Sequence, residues 1–333
     1  MNPQSQEHSS ALIDLRHVSI RYRTNRGTVS AVDDVSFQVP KGASVGLVGE
    51  SGSGKSTLAL ALMRLLPANA TVSGEILFDG ENLVEKSEAR LSKGWRWRKL
   101  AMVFQKSLSA MSPVHRIGQQ MDDVLALHEP GLTATQRKER LRDVLGAVRL
   151  SDRVIDMYPF ELSGGMMQRT MIALGLLCNP PFVIFDEATT ALDVITQAQI
   201  LNEIRRLKSE FDLTTMVISH DVGVINAVTD IVAVLYAGQL MEVAPRDQFF
   251  ASPQHPYSRA LIASVPKLQG SKGRLTGIPG SLPDLTNPPA GCRFAPRCPH
   301  ATGACLSAVP PLVEVSPGHL VRCVDIPFKE AAG

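Results

Sequence analysis

The run Gly49-Glu50-Ser51-Gly52-Ser53-Gly54-Lys55-Ser56-Thr57 fits the pattern G-x-x-x-x-G-K-[ST], which binds phosphate when a strand precedes it and a helix follows. The apolar stretch ASVGLVG leads into this run, and STLALALMRLL, apolar at helical spacing, leads out of it. Glycines let backbone N–H groups turn toward phosphate oxygens, and Lys55 places a cation at the β- and γ-phosphates. The hydroxyl of Ser56 can coordinate Mg²⁺. The pattern therefore predicts nucleotide binding.

Two carboxylates stand at the end of a second apolar run, where Phe182-Val183-Ile184-Phe185 is followed by Asp186 and Glu187. Taken alone, such a pattern is typical of a strand end that meets solvent. Its position downstream of the phosphate loop favours a catalytic interpretation. Asp186 is suited to hold Mg²⁺ directly or through water, and Glu187 is suited to orient the attacking water or accept its proton.

The segment LSGGMMQ precedes the apolar stretch TMIALGLL, so its small residues are predicted at a helix N-terminus with free N–H groups. Ser163 followed by glycines is also typical of an ordinary helix cap and tight turn. One triphosphate seldom needs two phosphate-binding surfaces from one chain. This second surface therefore predicts contact with nucleotide bound to another subunit, through Ser163, Gly164, Gly165 and Gln168.

The surrounding patterns indicate which elements position these residues. Residues 12–48 alternate apolar and polar, which predicts strands, and residues 88–160 are mainly helical in pattern. The buried-type runs FVIF and TTMVIS, separated by the helical stretch TQAQILNEIRRLKSEF, favour a parallel α/β arrangement. From about residue 252 prolines multiply, so long regular elements become improbable.

Composition limits the class of protein. The chain has 333 residues, 44% hydrophobic and 20% charged, which excludes disorder as the main state and a polytopic membrane protein. A net charge of +2 gives no general field for nucleic acid, so we expect no nucleic-acid partner. The first ten residues contain no basic cluster or apolar core of a secretory signal. We expect the protein in the cytoplasm.

Four of the five cysteines, Cys292, Cys298, Cys305 and Cys323, lie near the end of the chain with the spacing C-x5-C-x6-C-x17-C. In a reducing compartment such a group suggests metal before disulfide. This spacing is not one of the standard ferredoxin or zinc-ribbon spacings, so metal ligation and reduced structural thiols remain equally open.

These motifs, in this order, resemble the nucleotide-binding subunit of an ATP-binding-cassette (ABC) transporter. GESGSGKST resembles the Walker A motif, LSGGMMQ the signature, FVIFDE the Walker B motif and Ala191-Leu192-Asp193 the D-loop. The resemblance implies that Gln105 in MVFQ senses γ-phosphate and Mg²⁺, that His220 in ISHD supports the γ-phosphate, and that Tyr22 stacks on adenine. It also implies an α/β P-loop NTPase (RecA-like) core with an antiparallel β subdomain and an inserted helical subdomain at about 88–165, within a domain spanning 1–250.

A narrower resemblance lies in residues 251–333, where His255-Pro256-Tyr257, IPGSLPDL and GCRFAPRCPHATGAC are similar to the small C-terminal domain of dipeptide/oligopeptide importer ATPases. It implies ATP and Mg²⁺ as cofactors, a [4Fe-4S] cluster on the four cysteines with zinc as the alternative, and peptide cargo. It implies as partners a second ATPase, commonly a distinct paralogue, two membrane permease subunits and an external solute-binding protein. The chain would then lie at the cytoplasmic face of the membrane.

The sequence departs from the family pattern at two places. Ala188 follows Glu187 where most members have proline, and Lys106-Ser107 follows Gln105 where Asp-Pro is common. Neither change removes a catalytic group. The alternatives are the same transport role with nickel or oligosaccharide cargo, a soluble ABC ATPase of translation or DNA repair, and a P-loop kinase, which would not explain LSGGMMQ.

Overall fold

The computed structural model describes residues 11–104, 110–190, 192–264 and 277–324. The strands are β1 Ala11–Thr24, β2 Gly27–Pro40, β3 Ser44–Val48, β4 Ala70–Phe78, β5 Glu81–Asn82, β6 Leu100–Val103, β7 Phe182–Asp186, β8 Thr214–Ser219, β9 Ile231–Tyr236, β10 Gln239–Pro245, β11 Val313–Ser316 and β12 His319–Val321. The α-helices are α1 Lys55–Leu62, α2 Glu88–Gly94, α3 Ile117–His128, α4 Ala134–Ala147, α5 Gly164–Leu176, α6 Val194–Glu210, α7 Val222–Val228, α8 Arg246–Ala251, α9 Pro256–Ala263 and α10 Gly303–Ser307.

The chain divides into two compact units, the first made of Met1–Val84 with Ser219–Gly333 and the second of Glu85–Ile218. The predicted boundary near residue 250 stays a prediction, because a compact unit can contain more than one sequence domain. The residues after 250 nevertheless pack into the same unit as the phosphate loop.

The first unit contains an antiparallel sheet in the order β2-β1-β4-β5. The second half of β2 alternates buried and more exposed residues, as the sequence pattern predicts for a half-buried sheet, whereas four consecutive residues of β1, Leu12 to Leu15, are all buried. In the same unit β3 pairs in parallel with β9, β9 pairs antiparallel with β10, and β10 pairs antiparallel with β12, which β11 extends. All five residues of β3 are buried, and its carboxyl end leads into the phosphate loop.

Three arginines of the C-terminal segment fasten it to this unit. Arg293 donates to Asp33 on β2 over 2.6 Å, and Arg297 pairs with Glu50 in the phosphate loop. The third, Arg322, donates to the carbonyl oxygens of Leu240 (3.0 Å) and Pro310 (3.1 Å). Because the segment has only short elements, as its prolines predict, these buried side chains supply much of its order.

The second unit contains the parallel strands β6, β7 and β8, with β7 between the other two. Every residue of β7 is buried, which explains its continuous apolar run. The helices α2, α3 and α4 confirm a largely helical segment here. The prediction was wrong at Leu100–Val103, which is the strand β6 and not helix. Four residues are too few to show a period, and pairing with β7 decides their conformation.

Candidate nucleotide-binding site

The backbone of the phosphate loop is packed too closely to carry side chains at its glycines. Gly49 and Gly54 have φ of 156° and 103°, in the range that disfavours other residues. A Cβ placed on Gly49 would lie 2.0 Å from the carbonyl oxygen of Leu235, and one on Gly54 would lie 2.4 Å from that of Ala31. The glycines thus give the loop the close turn that the sequence pattern predicts.

Lys55 lies inside this loop, with only 5% of the residue exposed. Its Nζ donates to the carbonyl oxygens of Gly49 (2.7 Å) and Glu50 (2.9 Å) and to Ser53 Oγ (3.4 Å). Lys55 is also the first residue of α1, whose N-cap, Gly54, has no side chain with which to cap the helix. A buried cation and the open N–H groups of a helix N-terminus therefore occur at one place, which suits a phosphate group.

The rest of the predicted loop residues surround this lysine. Ser53 is buried, Ser51 and Gly52 are exposed, and Ser56 is exposed on the first turn of α1. Tyr22, predicted to stack on adenine, lies on β1, and its hydroxyl is 3.4 Å from Thr57 Oγ1. The half-buried ring of Tyr22 therefore lies beside the helix that begins at Lys55.

The two carboxylates at the end of β7 have different environments. Asp186 is 7% exposed and is aligned with Ile218 on β8. Glu187 adopts φ of 48°, so the chain turns sharply there, and its N–H donates to the Ile218 carbonyl oxygen over 2.9 Å. Thr190 Oγ1 donates to Glu187 Oε2 over 3.1 Å. Asp186 is thus buried and Glu187 less so, which suits two separate roles.

His220 follows β8 directly and is exposed. The chain around it is fixed: Asp221 N–H donates to Ser219 Oγ over 3.0 Å, and Asp221 Oδ1 accepts from Gly223 N–H over 2.8 Å, which caps α7. The histidine is therefore held at a strand end by its neighbours.

The signature segment begins α5 and borders an open pocket of about 600 Å³ in the second unit. Ser163 is the N-cap, and its Oγ accepts from Met166 N–H over 3.3 Å. Gly164 and Gly165 line the pocket beside Ser163. Gln168 does not line it: this side chain is 3% exposed, and its Nε2 has no hydrogen-bond partner among the described residues. The geometry therefore favours contact with a ligand through Ser163, Gly164 and Gly165 only.

Sequence reasoning missed the cations of this pocket, which are Arg149, Arg153 and Arg169. Arg169 had a detectable signal, because it lies four residues after Gly165 and hence on the same helix face. Arg149 has none, since its left-handed backbone (φ 58°) depends on the fold.

Gln105, Ala191 and Lys106-Ser107 lie outside the described residues, so the predictions made for them stay predictions.

The four C-terminal cysteines line one small apolar cavity of about 20 Å³. Burial raises the thiol pKa of Cys292 and of Cys298, which favours the protonated thiols. Thiols are suitable donors for iron or zinc, but this volume is close to that of one water molecule. In the described parts of the chain no group of three or more His, Cys, Asp or Glu side chains is placed to hold a metal ion. The described part of the structure thus contains cysteine side chains that could bind a metal, but it does not arrange them as a metal site.

Comparison with known proteins agrees with these motifs. The ABC transporter family model matches residues 32–190, and the model of the oligopeptide/dipeptide transporter C-terminal region matches residues 241–305. The oligopeptide transport ATP-binding protein OppD of Haemophilus influenzae is 43% identical, over 94% of this chain and 96% of its own. OppD of Escherichia coli is 42% identical, over 96% and 95%.

Solved structures agree in fold. A dimeric structure of the ATP-binding cassette MJ0796 in a post-hydrolysis state, bound to ADP and Pi, has a TM-score of 0.62 at 25% identity and covers 70% of this chain and 98% of that chain. The fold and the phosphate loop define a P-loop ATPase. The chain belongs to the ATP-binding subunits of ABC transporters, in the branch with the oligopeptide/dipeptide C-terminal region. Its activity is ATP hydrolysis coupled to transport.

Among the described residues, no helix combines the length and apolar character that crossing a bilayer requires.

Proposed function

We propose that the chain is the ATP-hydrolysing subunit of an ABC importer that takes up di- or oligopeptides through membrane permease subunits. The observation that carries the proposal is the presence of two phosphate-type surfaces, one in each compact unit: a loop filled by its own lysine, and an open signature pocket. Similarity to the OppD proteins over nearly the whole chain, including the C-terminal region, supports peptide cargo.

Within the first surface, Lys55 and the loop N–H groups would bind the β- and γ-phosphates of ATP, and Tyr22 would stack on the adenine. The hydroxyl of Ser56 and the carboxylate of Asp186 are oxygen donors of the kind that Mg²⁺ prefers. Gln105 is proposed as a further Mg²⁺ ligand from the resemblance. Magnesium, when bound, neutralises phosphate charge.

Glu187 is proposed as the group that orients the water and accepts its proton, because its carboxylate is half-exposed and oriented by Thr190. His220 would donate a hydrogen bond to a γ-phosphate oxygen and stabilise the charge of the transition state.

The signature pocket supports a second cassette as a partner. Ser163 and Gly165 would contact nucleotide held by that second cassette, as the dimeric MJ0796 structure suggests. Val194 and Ile195, next to the pocket at the start of α6, are 81% and 72% exposed, which is unusual for adjacent aliphatic residues. A distinct paralogue is the proposed partner, with a second copy of this chain as the alternative.

The remaining partners, two permease subunits and an extracytoplasmic solute-binding protein, are proposed from the OppD relatives, with a peripheral position at the cytoplasmic face of the membrane. The site residues are proposed to bind nucleotide and not the transported solute, so nickel or oligosaccharide cargo remains the alternative. Identification of the solute carried by the cognate binding protein decides between them.

The iron–sulfur cluster, with zinc as its alternative, stays a prediction from the resemblance. Iron with acid-labile sulfide in anaerobically purified protein would support the cluster. Zinc alone would support the alternative, and neither metal would leave four reduced thiols.

The decisive experiment is Glu187→Gln. We expect it to leave ATP binding within about twofold, to lower turnover by roughly 100- to 10,000-fold, and to trap an ATP-bound pair detectable by sedimentation. Glu139→Gln, an exposed glutamate on α4, is the control and should hydrolyse ATP normally. Full hydrolysis by Glu187→Gln, or full-rate hydrolysis by a dilute single chain, would contradict the proposal.

A further inference from the structure

The side chain of Arg297, in the C-terminal segment, reaches the phosphate loop. Its Nη1 donates to Glu50 Oε2 over 2.6 Å and its Nη2 donates to Glu50 Oε1 over 3.0 Å, so the guanidinium grips both carboxylate oxygens. The arginine side chain is 5% exposed and the glutamate side chain 29%. Such a two-pronged, largely enclosed pair is stronger than an exposed ion pair and fixes the geometry of both partners.

Arg297 is also held by contacts other than the one with Glu50, most of them within its own segment. Its Nε donates to the carbonyl oxygen of Pro279 over 2.7 Å, and Nη2 also donates to that of Ile278 over 2.9 Å. Its Nη1 is 3.3 Å from the Tyr236 hydroxyl oxygen, and its guanidinium lies 5.7 Å from the centre of that ring. The arginine is therefore already positioned for its partner.

Glu50 is the second residue of the phosphate loop, and each of its polar parts has a partner in the same unit. Its carbonyl oxygen accepts from Lys55 Nζ over 2.9 Å, and its N–H donates to the Tyr257 hydroxyl over 2.9 Å. Burial raises the pKa of Tyr257, so this hydroxyl stays neutral. The loop is thus fixed on two sides by residues that follow position 250.

A carboxylate in this loop opposes its function, because the loop binds a polyanion. A negative charge on a side chain of this loop, partly shielded from water, would repel bound phosphates. Pairing with Arg297 cancels that charge and leaves the backbone N–H groups and Lys55 as the dominant field.

We propose that Arg297 is a positioning residue for nucleotide binding, which neutralises the Glu50 carboxylate and holds the loop in its phosphate-binding form. The proposal rests on the proposed role of the loop in binding ATP. It makes the C-terminal segment part of the machinery that sets ATP affinity.

The test is the affinity of the full-length chain for a fluorescent ATP analogue. Arg297→Gln keeps an amide donor but leaves Glu50 charged, and we expect about tenfold weaker binding, more so at low salt. Glu50→Gln combined with Arg297→Gln removes both charges, and binding should return to within about twofold. In the assembled transporter, KM for ATP should rise in Arg297→Gln while kcat changes less than about twofold.

Arg293→Gln is the matched control. Arg293 belongs to the same segment, is 3% exposed, and pairs with Asp33, which is 27% exposed, over 2.6 Å. Its loss should lower thermal stability without changing ATP affinity. Normal binding by Arg297→Gln, equal weakening by Arg293→Gln, or failure of the double variant to recover would each overturn the proposal.

Two further variants keep the outcome clear. If Arg297→Gln does not fold, Glu50→Gln alone decides: it removes the carboxylate that Arg297 neutralises, so binding at wild-type strength or tighter supports the proposal and a tenfold loss overturns it. Lys55→Ala separates this proposal from the function on which it rests. If wild type binds and Lys55→Ala does not, a normal Arg297→Gln refutes the role of Arg297 alone.

Discussion

The phosphate loop before α1 and the signature segment before α5 are both built from glycine and serine at a helix N-terminus. The two helices differ in how their first turn is capped. Gly54 has no side chain to place over α1, and Lys55 brings its own cation into the loop. Ser163 instead satisfies an N–H of its own helix, and two of the three cations of its pocket, Arg149 and Arg153, lie outside that helix.

This difference separates a complete anion site from half of one. The loop encloses its ligand with backbone donors and a lysine from nine consecutive residues. The signature pocket is open and uses side chains that are spread over about fifty residues of sequence, from Arg149 to Gln199. This difference agrees with the proposal that one chain binds a nucleotide at the first surface and needs a neighbour to use the second.

The largest expected effect is at the lysine. Lys55→Ala removes the cation of the loop and should weaken ATP binding by roughly 10- to 100-fold, since a hydrogen bond to a charged group is worth about 1.5–3 kcal/mol. Lys41→Ala, on the exposed turn between β2 and β3, is the control. Equilibrium binding to the single chain measures both, and an unchanged affinity in Lys55→Ala would erase the difference between the two surfaces.

The signature glycine should show the opposite profile. Gly165→Asp places a negative charge in the open pocket, so we expect turnover of the assembled pair to fall by roughly 100-fold while ATP binding to the single chain stays within about twofold. Because a Cβ at this position meets Thr196 Cγ2 at 2.9 Å, the thermal stability of the variant is measured alongside. Gly146→Asp, where a Cβ has nothing within 4 Å, is the control. Lost binding by the single chain would mean that both surfaces serve one nucleotide.

The smallest effect concerns acidity. Helix α9 contains Tyr257, the residue that holds Glu50, and its N-cap is His255, whose Nδ1 accepts from Tyr257 N–H. The N-cap of the signature helix α5 is Ser163, whose hydroxyl does not titrate. Burial lowers the His255 pKa from 6.5 to about 4, although Glu242 nearby opposes the shift. Between these values the unfolded chain binds the extra proton, so the free energy of unfolding falls as pH falls, by about 2 kcal/mol at pH 5.

His255→Asn tests this sign, because asparagine keeps a capping acceptor and removes the titration. The drop in melting temperature from pH 7 to pH 5 should shrink in this variant. If the melting temperature of His255→Asn falls from pH 7 to pH 5 as much as that of the wild type, another group causes the acid sensitivity.

Sequence patterns predicted those parts of the fold in which one segment carries its own signal. The alternation of β2, the buried run of β7 and the glycine–lysine loop are local, and the structure has each where the pattern places it. Strand β6 has no such signal, because four residues owe their conformation to pairing with a distant strand.

The same limit applies to the site. Lys55 and Ser163 could be found because their function depends on immediate neighbours. The pair between Glu50 and Arg297 joins residues 247 positions apart, and only the fold brings them together. The motif did not predict the burial of Gln168 either, because it identifies the helix but not the face of the helix that packs inward.

The hairpin of β11 and β12 has one more consequence. Strand β12 covers the outer side of β10, with Glu242 opposite Val321 and Val243 opposite Leu320. Uncovered strand edges are templates for uncontrolled pairing between chains. A chain cut before Val313 would expose that row of backbone donors and acceptors, and should tend to self-associate edge to edge. The last short hairpin thus covers an edge of β10 that would otherwise be open to pairing with another chain.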